Sequence, residues 1–118
     1  MAEPTVEQVF GAGATRLASG ATTPGAGLFI PDSALTAAGL DNPSTATAEG
    51  HLASILLTAK TALSQSNFDS NIDQSIVIED GFANILQRGE NLTEYRNDPL
   101  TVNLWKPSTG NSRNPNDY

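Results

Sequence analysis

Large apolar side chains are scarce in this chain, and the scarcity limits what it can fold into. Leu, Ile, Val and Phe supply 26 of its 118 residues. That share lies just above the ~20% below which chains tend to stay disordered. A supply this thin suits one small core, and small cores gain stability from neighbouring molecules. Charged residues are also few, 16% against a usual ~25%. Ala, Thr, Ser, Asn and Gly fill the difference, so the chain is neither a charged disordered tail nor an idealised small domain.

The formal net charge of −7 argues against nucleic acid as the main partner, because phosphate recognition needs a basic stripe. It argues equally against attraction to an anionic membrane surface. No apolar run approaches the ~18–20 residues of a membrane span, and the start lacks a basic-then-apolar leader. The chain has no cysteine and one histidine. Disulfides, thiolate zinc sites, a cysteine nucleophile and a multi-histidine metal site are therefore outside its means.

Along the chain we expect three parts. Residues 1–27 form an arm rich in Gly, Ala and Thr, with Val6, Val9 and Phe10 as its only early apolar cluster. Residues 28–106 form a small α+β domain. Residues 107–118 are a polar tail. Within the domain, Pro31 stops an apolar run, and a short helix over Ala34–Ala38 should end at Gly39. Ala48, Leu52, Ile55, Leu56, Ala59 and Leu63 are spaced as the stripe of an amphipathic helix. That helix is expected from about Thr47 to Ser66, with Thr45 or Thr47 as its cap. Asn67–Asn71 reads as a polar turn. Strands are expected at Ser75–Ile78, Phe82–Arg88, Leu92–Arg96 and Leu100–Trp105, broken by Gly81, Gly89 and Pro99. The fold class expected is α+β: one long amphipathic helix packed on a small antiparallel sheet, a meander, with extended N- and C-terminal arms.

The strongest chemical candidate is the acidic stretch from Asp69 to Asp80. Asp69, Asn71 and Asp73 sit where a calcium loop places its first three ligands, and Asp80 falls on the twelfth position. Gln74 stands where that loop wants glycine, Asp80 is shorter than the usual glutamate, and a strand follows. A solvated turn accounts for the same residues. Glu79 and Asp80, adjacent on a strand, point to opposite faces and cannot share a site. His51 has no nucleophile partner and reads as a surface or capping residue. Gly11-Ala12-Gly13 is half a phosphate loop without its strand or its Lys-Ser/Thr. No pattern for a cofactor or a small-molecule substrate is present. Trp105 falls out of phase with Leu100, Val102 and Leu104, so it is either core or an outward contact anchor.

The segments EPTVEQVFGAGAT, FDSNIDQSIVIEDGF, YRNDPLTVNLWKP and NPNDY resemble short proteins of cyanobacteria and their phages. The resemblance spans most of the chain and carries no catalytic motif. It implies a phage or prophage origin and a structural part of the virion, assembled in the host cytoplasm. The expectation is a non-enzymatic assembly protein, foremost a capsid decoration (cement) protein, with a neck or tail component or a calcium- or ligand-binding module as alternatives. Its partners would be other virion proteins, such as a major capsid protein, and copies of itself. The helix stripe is needed for the chain's own core, so the contact residues expected are Val6, Val9, Phe10, Trp105 and Tyr118.

Overall fold

The computed structural model describes residues 3–10, 12–108 and 112–118. The protein is α+β, with four α-helices and two antiparallel two-stranded sheets. The chain divides into two compact units, Met1–Thr58 and Ala59–Tyr118.

The first unit opens with helix α1, Val6–Phe10. Five residues are too few for a helix to persist on propensity, and its start is tied twice. The Gln8 amide N–H donates to Thr5 Oγ1 at 3.1 Å, and the Thr5 N–H donates to Gln8 Oε1 at 2.8 Å. This reciprocal capping box satisfies two N–H groups that a helix start leaves without partners. Helix α2, Asp32–Ala37, buries Leu35. It ends as expected at Gly39, whose φ of 113° lets the Leu40 N–H reach back to the Leu35 carbonyl at 3.1 Å. A 3₁₀ turn, Pro43–Thr45, leads to helix α3, Ala48–Ala62. Thr47 caps it, accepting from the Gly50 N–H at 3.0 Å.

Two expectations about this helix are corrected. It does not run to Ser66. The Asn67 side-chain amide donates to the Ala62 carbonyl at 2.9 Å, while Ser64 Oγ accepts from the Asn67 N–H at 3.1 Å. One residue thus closes α3, and its N–H is capped at the start of a new helix, α4, Gln65–Ser70, in place of the expected turn. The expected stripe is corrected at Leu52, which is exposed; Ala48 is buried and Ile55, Leu56, Ala59 and Leu63 are half-buried, with His51 and Ser54 buried beside them.

In the second unit, strand β1, Ile76–Asp80, pairs antiparallel with β4, Leu100–Leu104. Strand β2, Asn84–Arg88, pairs with β3, Thr93–Asn97. The expected meander is therefore replaced by one long hairpin ribbon in two sections, an inner one at its base and an outer one at its tip. The inner pairs run from Ile76↔Leu104 to Asp80↔Leu100 and the outer ones from Asn84↔Asn97 to Arg88↔Thr93. Between them, residues 81–83 face only residues 98 and 99, so one strand carries an extra residue, as in a β-bulge. Gly81 is required there. Its N–H donates to the Pro99 carbonyl at 2.8 Å, and a Cβ at this position would lie 2.8 Å from the Pro99 ring. The shifted register leaves a four-residue turn, Gly89 to Leu92, closed by the Leu92 N–H on the Gly89 carbonyl at 3.2 Å. Leu92 takes φ 51°, the one positive φ of a non-glycine residue among those described.

Among the described residues the buried apolar side chains are Leu35, Pro43 and Ala48 in the first unit and Val77 and Ile78 in the second. A compact monomer of this mass would expose about 6,100 Å², and even two separate globules of half the mass about 7,300 Å². The chain exposes 9373 Å². The surplus is surface that neither unit covers by itself.

Candidate functional site

The residues expected to touch partners fall in both units. Val6 and Val9 are half-buried on α1 and Phe10 is exposed at its end. Gly11, part of the phosphate-loop fragment considered above, lies outside the described residues, as do Met1 and Ala2. In the second unit, Trp105 lies just past β4. Its N–H donates to the Ser75 carbonyl at 2.7 Å, extending the ladder by one bond. Its ring is tilted against Phe68 of α4, with centroids 6.0 Å apart, an edge-inclined pair within the favourable range. The indole is still 55% exposed. Trp105 thus has one face on Phe68 and the other open, which combines the two expected alternatives. Tyr118, half-buried, follows a short 3₁₀ turn, Pro115–Asp117. The preceding tail is tied down by Lys106, whose ammonium donates to the Ser112 carbonyl at 2.7 Å and to Asp117 at 2.9 Å.

The calcium-loop residues are spread over three environments. Asp69 lies in α4 and accepts from the Gln65 amide at 2.8 Å. Asn71 caps the end of α4, and its side-chain oxygen takes the Asp73 N–H at 3.1 Å, a local Asx turn. Asp80 ends β1 and is paired with the Lys60 ammonium at 2.8 Å. No group of three or more His, Cys, Asp or Glu residues that could hold a metal ion occurs among the described residues. Glu79 stands opposite Thr101 and Asp80 opposite Leu100, on different faces of the ribbon.

His51 is not on the surface. It is buried, with Nδ1 2.8 Å from the Thr47 carbonyl and Nε2 2.6 Å from Nη1 of Arg16. The other end of the Arg16 guanidinium grips both oxygens of Asp32 at 2.9 Å. The three side chains satisfy one another and pin the early, glycine-rich segment to α2 and α3. No helix among the described residues is long and apolar enough to cross a membrane.

The strands and turn of the outer hairpin stand where the sequence reading expects them, but their exposure was not foreseen. Every residue of β2 and β3 is exposed, on both faces. Leu86 faces Tyr95 across the pair and Ile85 faces Arg96, and Phe82 beside the bulge is 95% exposed. The Arg88 guanidinium lies over the Tyr95 ring, 4.9 Å from its centroid. A two-stranded hairpin with no third layer is marginal in water, and both of its outer edges carry unpaired backbone groups. The available signal was that Ile85-Leu86 and Gln87-Arg88 do not alternate, so neither face of β2 is apolar throughout. No family model, curated protein or solved structure matches the chain.

Proposed function

We propose that this chain is a non-enzymatic structural protein that docks on neighbouring subunits, and that its setting is a phage virion, foremost as a capsid decoration protein. The observation carrying the assembly reading is the mismatch between core and surface. Five buried apolar side chains among the described residues stand against 9373 Å² of exposed surface. Each side chain of the Val or Phe class contributes roughly 1.5–3 kcal/mol when fully covered. The exposed apolar groups of the outer hairpin, with Phe10, Leu28, Phe29, Ile72 and Trp105, are therefore a reserve of stability that the single chain leaves unused. Docking would use it, with the mixed apolar and polar character of a non-obligate interface.

The virion setting rests on the resemblance to cyanobacterial and cyanophage proteins, joined to the low charge, the absence of cysteine and the glycine-rich N-terminal segment. The partners would be a major capsid protein or other virion proteins, with further copies of this chain. A neck or tail position serves the same physics. Mass spectrometry of particles banded on a density gradient tests the reading. The chain should co-band with the shell subunit at a fixed stoichiometry. Recovery only in the soluble host fraction overturns it.

A further inference from the structure

We propose that two copies of this chain associate through the outer edge of β3, giving a four-stranded antiparallel sheet centred on Tyr95. This rests on the reading of the chain as an assembly protein and names one of its contacts.

The outer edge of β3 is open, as are those of β2 and β4, whereas that of β1 is partly covered. Strand β1 has its Ile78 N–H on the Leu63 carbonyl at 2.9 Å, so chain outside the ribbon covers part of its outer side. Strand β3 has β2 as its single neighbour, and no described hydrogen bond reaches its other edge. It is five residues long, without proline, glycine or lysine. Natural edges are commonly blunted by proline, lysine or a bulge, which this strand lacks; its two charges, Glu94 and Arg96, are of opposite sign and can be paired by a second copy.

Charge selects both the occupant and the register. Two copies of Thr93-Glu94-Tyr95-Arg96-Asn97 laid antiparallel about a two-fold axis at Tyr95 set Glu94 against Arg96 of the other copy, twice, with Tyr95 facing Tyr95. Moving the axis to Glu94 sets glutamate against glutamate. Moving it to Arg96 sets arginine against arginine. Among these neighbouring registers that keep like faces together, only the Tyr95-centred one pairs opposite charges, and directly opposed like charges disfavour a sheet pair. Arg96 is able to serve. Its Nε is on Asp98 at 2.7 Å, and its terminal nitrogens have no partner among the described residues. On the other face the pairing aligns Leu86, Tyr95 and their two counterparts in one apolar row, because Leu86 already opposes Tyr95 within each copy. Leu86 is 60% and Tyr95 49% exposed in the single chain, so the row covers surface that is now wet. Strand β2 offers no such charge match: centred on Leu86, it sets Ile85 against Gln87 and Asn84 against Arg88.

The test is sedimentation velocity on the full-length chain over a concentration series, with circular dichroism to confirm folding. The wild type should show a monomer–dimer equilibrium, and a monomer throughout overturns the proposal. Glu94→Arg alone sets Arg against Arg, and Arg96→Glu alone sets Glu against Glu. Each should weaken self-association by about tenfold or more, while an equimolar mixture of the two variants should recover it. Variants that dimerise as the wild type does overturn the β3 contact. Register is read separately, because the chain has no native cysteine. Tyr95→Cys should cross-link between copies on oxidation, its Cα atoms lying at disulfide range. Thr93→Cys should not, and equal rates for the two overturn the register. If the charge variants lose the dimer yet still co-band with particles, this contact fails to carry assembly while the virion reading stands.

Discussion

Arg16 and His51 meet through a hydrogen bond whose direction is fixed by a third group. The Thr47 carbonyl can only accept, so His51 Nδ1 carries the proton and Nε2 accepts from the Arg16 guanidinium, 2.6 Å away. Nitrogen chemical shifts should therefore report a protonated Nδ1 and an unprotonated Nε2. Arg16→Ala removes this bond and the bidentate grip on Asp32 together. With the Arg16 side chain 25% exposed, the loss should be about 1–2 kcal/mol. Limited proteolysis should then cut faster between Ala12 and Ala26, with the strands of the second unit unaffected.

Gly81→Ala drives a methyl into the Pro99 ring at 2.8 Å. A ring cannot swing aside as the end of a flexible chain would, so the ribbon should lose about 1–3 kcal/mol. Gly81→Ala with Pro99→Ala should recover part of the loss. Hydrogen exchange of the β1 and β4 amides reads both.

Leu92→Asn should have the opposite sign. The left-handed region costs an ordinary L-residue roughly 1–2 kcal/mol, while asparagine enters it more readily. Leu92 is exposed, so little packing is given up. Slower exchange of the Arg88 and Thr93 amides is the expected outcome, a gain of about 0.5–1 kcal/mol.

Gly50→Ala probes α3. The new methyl would sit 3.4 Å from Leu40 Cδ1 and from Thr47 Oγ1, ordinary contact distances. Replacing a helical glycine contributes about 1 kcal/mol, so thermal unfolding should move up by a few degrees.

Calcium should leave the unfolding temperature unchanged. A ligand that binds the folded chain raises stability in proportion to the logarithm of its saturation. Here Asp80 is neutralised by Lys60, and Asp69 and Asn71 are turned to Gln65 and the Asp73 N–H. A rise in the unfolding temperature, abolished by Asp69→Ala with Asp73→Ala, would reverse this reading.

Local signals in the sequence were legible and non-local ones were not. The stop at Gly39, the cap at Thr47 and the four strand positions follow from neighbouring residues alone. So does α1: Thr5 and Gln8 form a capping box that glycine content elsewhere in the segment obscured. The break at Ser64 was also written in Ser64 and Asn67, but the apolar spacing through Leu63 outweighed it. The burial of His51 on α3 could not be read, because its partner Arg16 lies 35 residues away. Strand pairing was hidden for the same kind of reason. Leu100, Val102 and Leu104 alternate equally well beside any neighbour, and only the Gly81–Pro99 contact selects β1. Of the candidate contacts, Trp105 was identified as out of phase, but the outer hairpin was absorbed into an imagined sheet that would have covered it.

The extra residue in the 81–83 segment gives the outer hairpin a reading frame. Were the ladder of β1 and β4 to run on without the bulge, every strand residue would stay in the ribbon, yet each outer pair would shift by one. Leu86 would then face Glu94, Ile85 would face Tyr95, and the turn would shorten to three residues, freeing Leu92 from its left-handed backbone. The bulge thus sets the frame of the tip: deleting one of residues 81–83 would restore even pairing and keep Asn84 opposite Asn97, so the extra residue and not the strand sequence decides which side chains meet there.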